Sequence, residues 1–278
     1  MKTPFSVMLC VYAGDDPVWF RAAFDSIWNQ TVRPSEIVLT VDGPVPETLA
    51  REIRRCEENP ACRVVRLEKN VGHGSARAAA LARCRFPLVA LMDADDLSLP
   101  DRFEKQLKAF AYEPELSAVG GQIGEFTRSP GEILGRRLVR EDHECILRDM
   151  KKRCPMNQVT VMLKKEPVLA AGGYRDWYCN EDYDLWIRMA LSGCRFRNLP
   201  DTLVLVRTGE NMYRRRGGWR YFSSEAALQI ALRRNGIIGP VRCLWNLALR
   251  FAVQLLMPGK LRGRIFRKFA RKAEKHGK

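Results

Sequence analysis

Over the first 112 residues, short apolar runs alternate with segments whose apolar residues recur every three or four positions. Residues 5–11, 36–41, 63–67 and 87–92 read as strands, and 17–30, 46–56, 74–84 and 100–112 as helices. Pro17 opens the first helix, where its missing N–H costs nothing. Strands separated by helices predict right-handed crossovers and an α/β fold, with a mostly parallel central sheet covered on both faces. Ligands bind such sheets beyond the carboxyl ends of the strands. The residues to inspect are therefore Tyr12, Asp42, Asn70 through Arg77, and Asp93 through Asp96, which follow the four strands in turn. All four groups fall on one edge of the predicted sheet.

After Leu116 the pattern loosens. Residues 119–126, 133–139, 159–163, 195–199 and 202–206 read as strands, and 141–151 and 181–191 as helices. Between 241 and 257 the polar residues Arg242, Asn246, Arg250 and Gln254 recur every four positions in an otherwise apolar stretch. That spacing predicts an amphipathic helix with a narrow polar stripe and a broad apolar surface.

Charge divides the chain in two. Of its 278 residues, those from 207 onward hold 18 Lys+Arg against 3 Asp+Glu, which accounts for the whole net charge of +15. The expected organisation is a neutral α/β domain over 1–206 and a basic helical C-terminal region over 207–278. Residues 260–275 interleave eight basic residues with Leu261, Ile265, Phe266 and Phe269. Such a segment suits an anionic membrane surface, and a helix docked on the α/β domain with a solvated basic face is the alternative. Arg214–Arg216 is a candidate phosphate contact on donor or acceptor. No nucleic-acid partner is expected, because no recognition motif accompanies the charge.

No window reaches the 18 uninterrupted apolar residues of a membrane span. The nine cysteines are odd in number and form no Cys-x-x-Cys pair, so buried thiols in a reducing, cytoplasmic setting are expected.

Three motifs carry chemistry. Asp93-Ala94-Asp95-Asp96 sets three carboxylates in four residues directly after a strand, where they repel one another unless a cation compensates. Hard oxygen ligands suit magnesium or manganese, which bind one or two carboxylates plus substrate phosphates. A solvated acidic turn would read the same way in isolation. Asn70-Val-Gly-His-Gly-Ser-Ala-Arg77 has glycines that permit close backbone approach to a ligand and leads into a helix N-terminus that favours anions. Asn180-Glu181-Asp182-Tyr183-Asp184 opens a helix with acidic residues, either complementing the dipole or supplying a general base for an acceptor hydroxyl. Glu181 and Asp182 point roughly 100° apart on a helix, so only one faces the reacting group.

In order and spacing, these motifs resemble the inverting family-two glycosyltransferases of GT-A fold. The likeness spans about residues 4–206, from the 6–12 strand through Ser26–Thr31, Glu36–Val38, Asp42-Gly43, Asn70–Gly72, Ala76-Arg77, Asp93–Asp96 and Pro100–Arg102 to Glu181–Trp186. Bacterial transferases of exopolysaccharide and lipopolysaccharide synthesis are the most alike. The resemblance implies that Tyr12 lies near the base, Asp42 bonds a pyrimidine ring, and Gly72 and Arg77 serve the nucleotide. It places Asp93 near ribose and diphosphate, Asp95 as principal ligand of Mn2+ or Mg2+, and Asp182, beside Glu181, as the base.

It further implies a nucleotide-sugar donor, UDP-linked, and a saccharide or lipid-linked acceptor at the inner face of a membrane. Cys154–Asn157 falls where such enzymes line the donor-sugar pocket. Val41-Asp42-Gly43-Pro44 departs from the paired aspartates common there. The alternatives are a sugar nucleotidyltransferase, which needs a Gly-rich cationic loop where Tyr12–Asp16 stands, and a non-catalytic sugar-nucleotide-binding protein.

Overall fold

The computed structural model describes residues 3–209 and 217–257. Arg214–Arg216 and the 260–275 segment lie outside the described residues.

β1 (Phe5–Tyr12) is buried on both faces from Phe5 to Leu9, which is why its sequence is a continuous apolar run. It pairs in parallel with β2 (Glu36–Asp42) and β4 (Leu88–Asp93), and β3 (Cys62–Arg66) extends the sheet beyond β2. Beyond β4 the sheet is mixed. β8 (Met162–Lys164) runs antiparallel between β4 and β6 (Leu116–Phe126), β9 (Arg195–Arg207) is parallel to β6, and β5 (Leu97–Ser98) closes the edge antiparallel to β9. β7 (Gly135–Arg137) hangs on β6.

Alternate side chains of β1 feed two cores. Val7 and Leu9 meet α1 (Pro17–Trp28), α2 (Glu47–Glu57) and α4 (Arg102–Tyr112) on one face. Met8 faces α3 (His73–Arg83), α5 (His143–Met150), α6 (Lys165–Ala170) and α7 (Glu181–Leu191) on the other. α8 (Trp219–Arg234) and α9 (Pro240–Phe251) add Leu228, Leu232 and Cys243 to that second core. The α/β expectation therefore holds, with a parallel half and a mixed half.

Three expectations about strands change. The strands expected at 195–199 and 202–206 are one, because β9 absorbs Leu199–Asp201 as an irregularity opposite Gly121, where Pro200 has no N–H to offer a ladder. The strand expected at 133–139 shrinks to three residues. Of the strand expected at 159–163 the first residues form a 3-10 turn, Gln158–Thr160, leaving β8 to pair in the sheet. α6, with Pro167 inside six residues, is too short to show helical periodicity.

Between β4 and α4 lies a fully buried arginine. Arg102 donates through Nη2 to Leu91 O at 2.7 Å and through Nε to Gln106 at 3.1 Å, while Gln106 Nε2 reaches Val119 O and Thr160 O. Burial pulls its pKa down to about 9, against the opposing pull of Asp93. Arg102→Met strands these buried acceptors and is expected to cost about 1–3 kcal/mol, read as a lower urea midpoint at unchanged slope.

Candidate active site

Strand register brings the expected residues together. Tyr12 is level with Asp42, and Cys10 with Asp93, so three adjacent parallel strands end side by side with Tyr12, Asp42 and Asp93 at one edge. Asp42 is buried and accepts the backbone N–H groups of Val71 at 2.7 Å and Gly72 at 3.2 Å. Asn70 Nδ2 returns a bond to Asp42 O at 3.3 Å. Gly43, at φ +85°, lets the turn lie against that loop, since a Cβ there would stand 2.5 Å from Asn70 N. Asp42 thus holds the 70–72 loop, engaging both carboxylate oxygens, beside the half-exposed ring of Tyr12.

Of the two glycines in the 70–77 motif, Gly74 packs against the chain itself. A Cβ on Gly74 would lie 2.1 Å from Arg175 O, so the close approach is made by the chain's own 175–176 segment. The nearest neighbour of a Cβ on Gly72 would be Asp176, at 3.6 Å.

Arg77 is buried, where it bridges two motifs. Nη2 bonds Asp93 Oδ1 at 2.7 Å and Nη1 bonds Glu181 Oε1. Burial opposes its charge, but the two carboxylates more than offset that and hold its pKa above the ordinary arginine value. Glu181 also receives His73 Nδ1 at 3.3 Å. Burial would raise the Glu181 pKa, yet the His73 bond and Arg77 bring it down to about 2. Arg77, expected to contact the nucleotide, therefore sits as a strut between the acidic turn and α7, with its guanidinium turned to protein carboxylates.

Asp182 has the opposite environment. Burial, then the neighbouring Glu181 charge, raises its pKa to about 6, and only Arg77, a bond from Tyr183 N–H and Arg137 pull the other way. Its Oδ2 receives the Cys154 thiol at 3.6 Å. Two adjacent carboxylates so end with widely separated pKa values, Glu181 fixed as an anion and Asp182 poised to take a proton near neutrality. The expectation that one of the pair faces a ligand takes this form: Glu181 is consumed by Arg77. From 154–157, Cys154 reaches the site, whereas Asn157 is buried on Gly121 O and Arg137 O.

The acidic turn gathers a fourth carboxylate that the sequence reading passed over. Burial, with Asp95 and Asp93 adding repulsion, raises Asp15 to about 6. Asp15 lies just past the end of β1, so the strand-end rule already pointed at it. Asp96 is buried with its pKa raised well above the ordinary value, by burial and then by Asp95 and Asp93.

Arg207 fastens the turn from β9. Its N–H bonds Asp96 Oδ1 at 2.8 Å, its Nε reaches Asp95 O at 3.3 Å, and its guanidinium lies 4.4 Å from the Trp19 ring and 4.6 Å from that of Phe126. Tyr174 was also missed. Its buried hydroxyl has no hydrogen-bond partner among the described residues and feels Arg77, Asp182 and Glu181. It sits in a loop with no periodic signal.

Among the described residues, no three His, Cys, Asp or Glu side chains converge to enclose a metal by themselves. A Mg2+ or Mn2+ that also binds substrate phosphates needs only one or two protein carboxylates. Asp93 and Asp95 repel both Asp15 and Asp96, a crowding of negative charge that a cation would relieve.

Residues 6–162, more than half of the chain, match the family described as glycosyl transferase family 2. The chain is similar to the amylovoran biosynthesis glycosyltransferase AmsE of Erwinia amylovora, at 38% identity over 84% of this chain and 88% of that one. It is also similar to a UDP-Gal:alpha-D-GlcNAc-diphosphoundecaprenol beta-1,3-galactosyltransferase of Escherichia coli, at 32% identity over 96% and 97%. In fold it is similar to the mannosyltransferase PcManGT of Pyrobaculum calidifontis, solved with GDP-Man and Mn2+ (TM-score 0.59, 18% identity, covering 95% of this chain and 78% of that one). Its strand-end carboxylates and its matched residues together make the chain a member of glycosyl transferase family 2.

Proposed function

We propose that the chain is a metal-dependent inverting glycosyltransferase. It moves a sugar from a nucleoside-diphosphate donor, UDP-linked, to a saccharide or lipid-linked acceptor in cell-surface polysaccharide synthesis. The observation that carries this reading is the Arg77 strut, which sets the acidic turn at Asp93 and the base helix at Glu181 against each other across one sheet edge. Both AmsE and the Escherichia coli galactosyltransferase are named for glycan-building roles, and the latter's name specifies a UDP-linked donor and a diphosphoundecaprenol-linked acceptor.

Asp95 and Asp93 would hold the cation, whose contribution is to neutralise charge on the departing diphosphate. Tyr12, Asp42 and Gly72 form the neighbouring edge where the nucleoside lies. Asp182 takes the acceptor hydroxyl proton as that oxygen attacks the anomeric carbon opposite the leaving group, inverting the configuration. A lipid-linked acceptor would place the work at the cytoplasmic face of a membrane. Among the described residues, no helix is long and apolar enough to cross one.

The test is a panel of nucleotide sugars with Mn2+, Mg2+ or chelator, with the anomer of the product read by NMR. Transfer from a UDP-sugar, lost on chelation and inverted in configuration, is expected. Retention of configuration, or full activity in chelator, would overturn the reading. Asp95→Asn is expected to lower transfer by about 10²–10³-fold at fixed Mn2+, as for loss of a transition-state charge contact. A Mn2+ titration should show partial recovery at high metal.

A further inference from the structure

Three of the four positions in the polar stripe expected over 241–257, Asn246, Arg250 and Gln254, face inward, while Arg242 is exposed. Asn246 Nδ2 donates to Gln229 Oε1 at 2.8 Å and to Lys151 O at 3.3 Å, and both Asn246 and Gln254 are buried. Arg250 Nε bonds Glu225 Oε2, and its Nη2 reaches Lys152 O at 3.2 Å. The apolar side is turned outward instead. Val241, Leu244, Trp245 and Leu249 are between 52% and 82% exposed, at the i, i+3, i+4 and i+8 spacing of one helix face, and Leu256, in the turn that follows α9, is 70% exposed. Trp219, which starts α8, is 68% exposed. A surface helix ordinarily buries its apolar side and wets its polar one. Here hydrogen bonds hold the helix to the domain and leave an apolar face without a partner among the described residues, the mark of a docking surface.

We propose that this face inserts into the headgroup–acyl boundary of an anionic lipid bilayer. Charge selects that occupant. No Asp or Glu occurs between Glu225 and Glu274, and Glu225 is itself paired with Arg250. The rim carries the exposed Arg233 and Arg234 at the end of α8 and Arg242 in the first turn of α9. Residues 258–278, which follow the apolar face directly, add nine Lys+Arg against one Glu. An occupant must therefore offer an apolar interior beneath a negative surface. A second copy of this chain would set cationic rim against cationic rim. Trp219 and Trp245 suit the interface level of a bilayer, where amphipathic rings collect, and basic residues add attraction to anionic headgroups. The biological purpose rests on the proposed lipid-linked acceptor, but lipid binding is measured without donor or acceptor.

The full chain is sedimented with vesicles of phosphatidylcholine alone and of phosphatidylcholine mixed with phosphatidylglycerol. Binding is expected only to the mixed vesicles. The combined variant Leu244→Ser, Trp245→Ser, Leu249→Ser is expected to bind them at least about tenfold more weakly. Its urea midpoint and its transfer to a water-soluble acceptor should stay as in the wild type. Equal vesicle binding by variant and wild type would overturn the proposal. So would a lipid-free dimer that the variant converts to monomer, because the face would then belong to a second copy. A variant that transfers normally yet leaves the vesicles supports the docking face, whereas a wild type that binds vesicles but transfers nothing refutes the transferase reading alone.

Discussion

Asp182→Asn is expected to fold as the wild type does, to bind nucleotide sugar with unchanged affinity, and to lose about 10²–10⁴-fold of its transfer rate. The amide keeps the oxygen that accepts Tyr183 N–H and fills the same space beside Cys154, so the helix start has no reason to move. What disappears is a carboxylate raised into the working range directly beside one that holds a fixed charge. The same environment predicts a pH profile. Transfer needs Asp182 deprotonated, so kcat/KM should level off above pH 6 and fall tenfold per unit below it, following the pKa of about 6. The Asn variant should show no such limb. Turnover at the wild-type rate in Asp182→Asn would remove this residue from the chemistry.

The edge that carries this chemistry was legible because a strand buried on both faces leaves an unbroken apolar run, and the first polar residue after the run marks its end. β1, β2 and β4 each end within a residue of their expected limit, and register then aligns Tyr12, Asp42 and Asp93 without further information. Pairing partners were not legible. The 77th residue shows a cation near a glycine loop, but its partners lie 16 and 104 positions away and only the closed sheet brings them together.

The same limit hid the orientation of α9. The spacing of Arg242, Asn246, Arg250 and Gln254 reveals a stripe, yet the groups that bury most of it, Gln229 and Glu225, sit on another helix. A hydrophobic pattern identifies two faces and assigns the apolar one inward by default. Hydrogen-bonding partners across a helix pair reverse that assignment, and they follow no period.

The Arg77 strut yields the largest stability effect. Arg77→Met is expected to cost about 3–5 kcal/mol at neutral pH, because it leaves buried Glu181 and partly buried Asp93 without the charge that compensates them. Arg77→Lys keeps a cation but not the fork that reaches both carboxylates at once, and should fall between the two. The sign of the pH dependence separates a lost ion pair from a mere cavity. In the wild type, the Glu181 pKa lies near 2, below its unfolded value, so its contribution is complete above the ordinary carboxylate range and is lost as pH falls toward about 2.

Without Arg77 the part of that depression not supplied by His73 goes, Glu181 protonates more readily in the folded state, and the gap between Arg77→Met and wild type should narrow as pH falls. A methionine that merely fitted badly would keep the same deficit at every pH. Adding Glu181→Gln to Arg77→Met should recover part of the loss, since it removes one of the stranded charges, and the double-mutant cycle from urea denaturation would measure how much of the strut's strength lies in that pair. If Arg77→Met proves as stable as wild type across this range, the acidic turn and the base helix are held together by something else, and the guanidinium is free for the nucleotide after all.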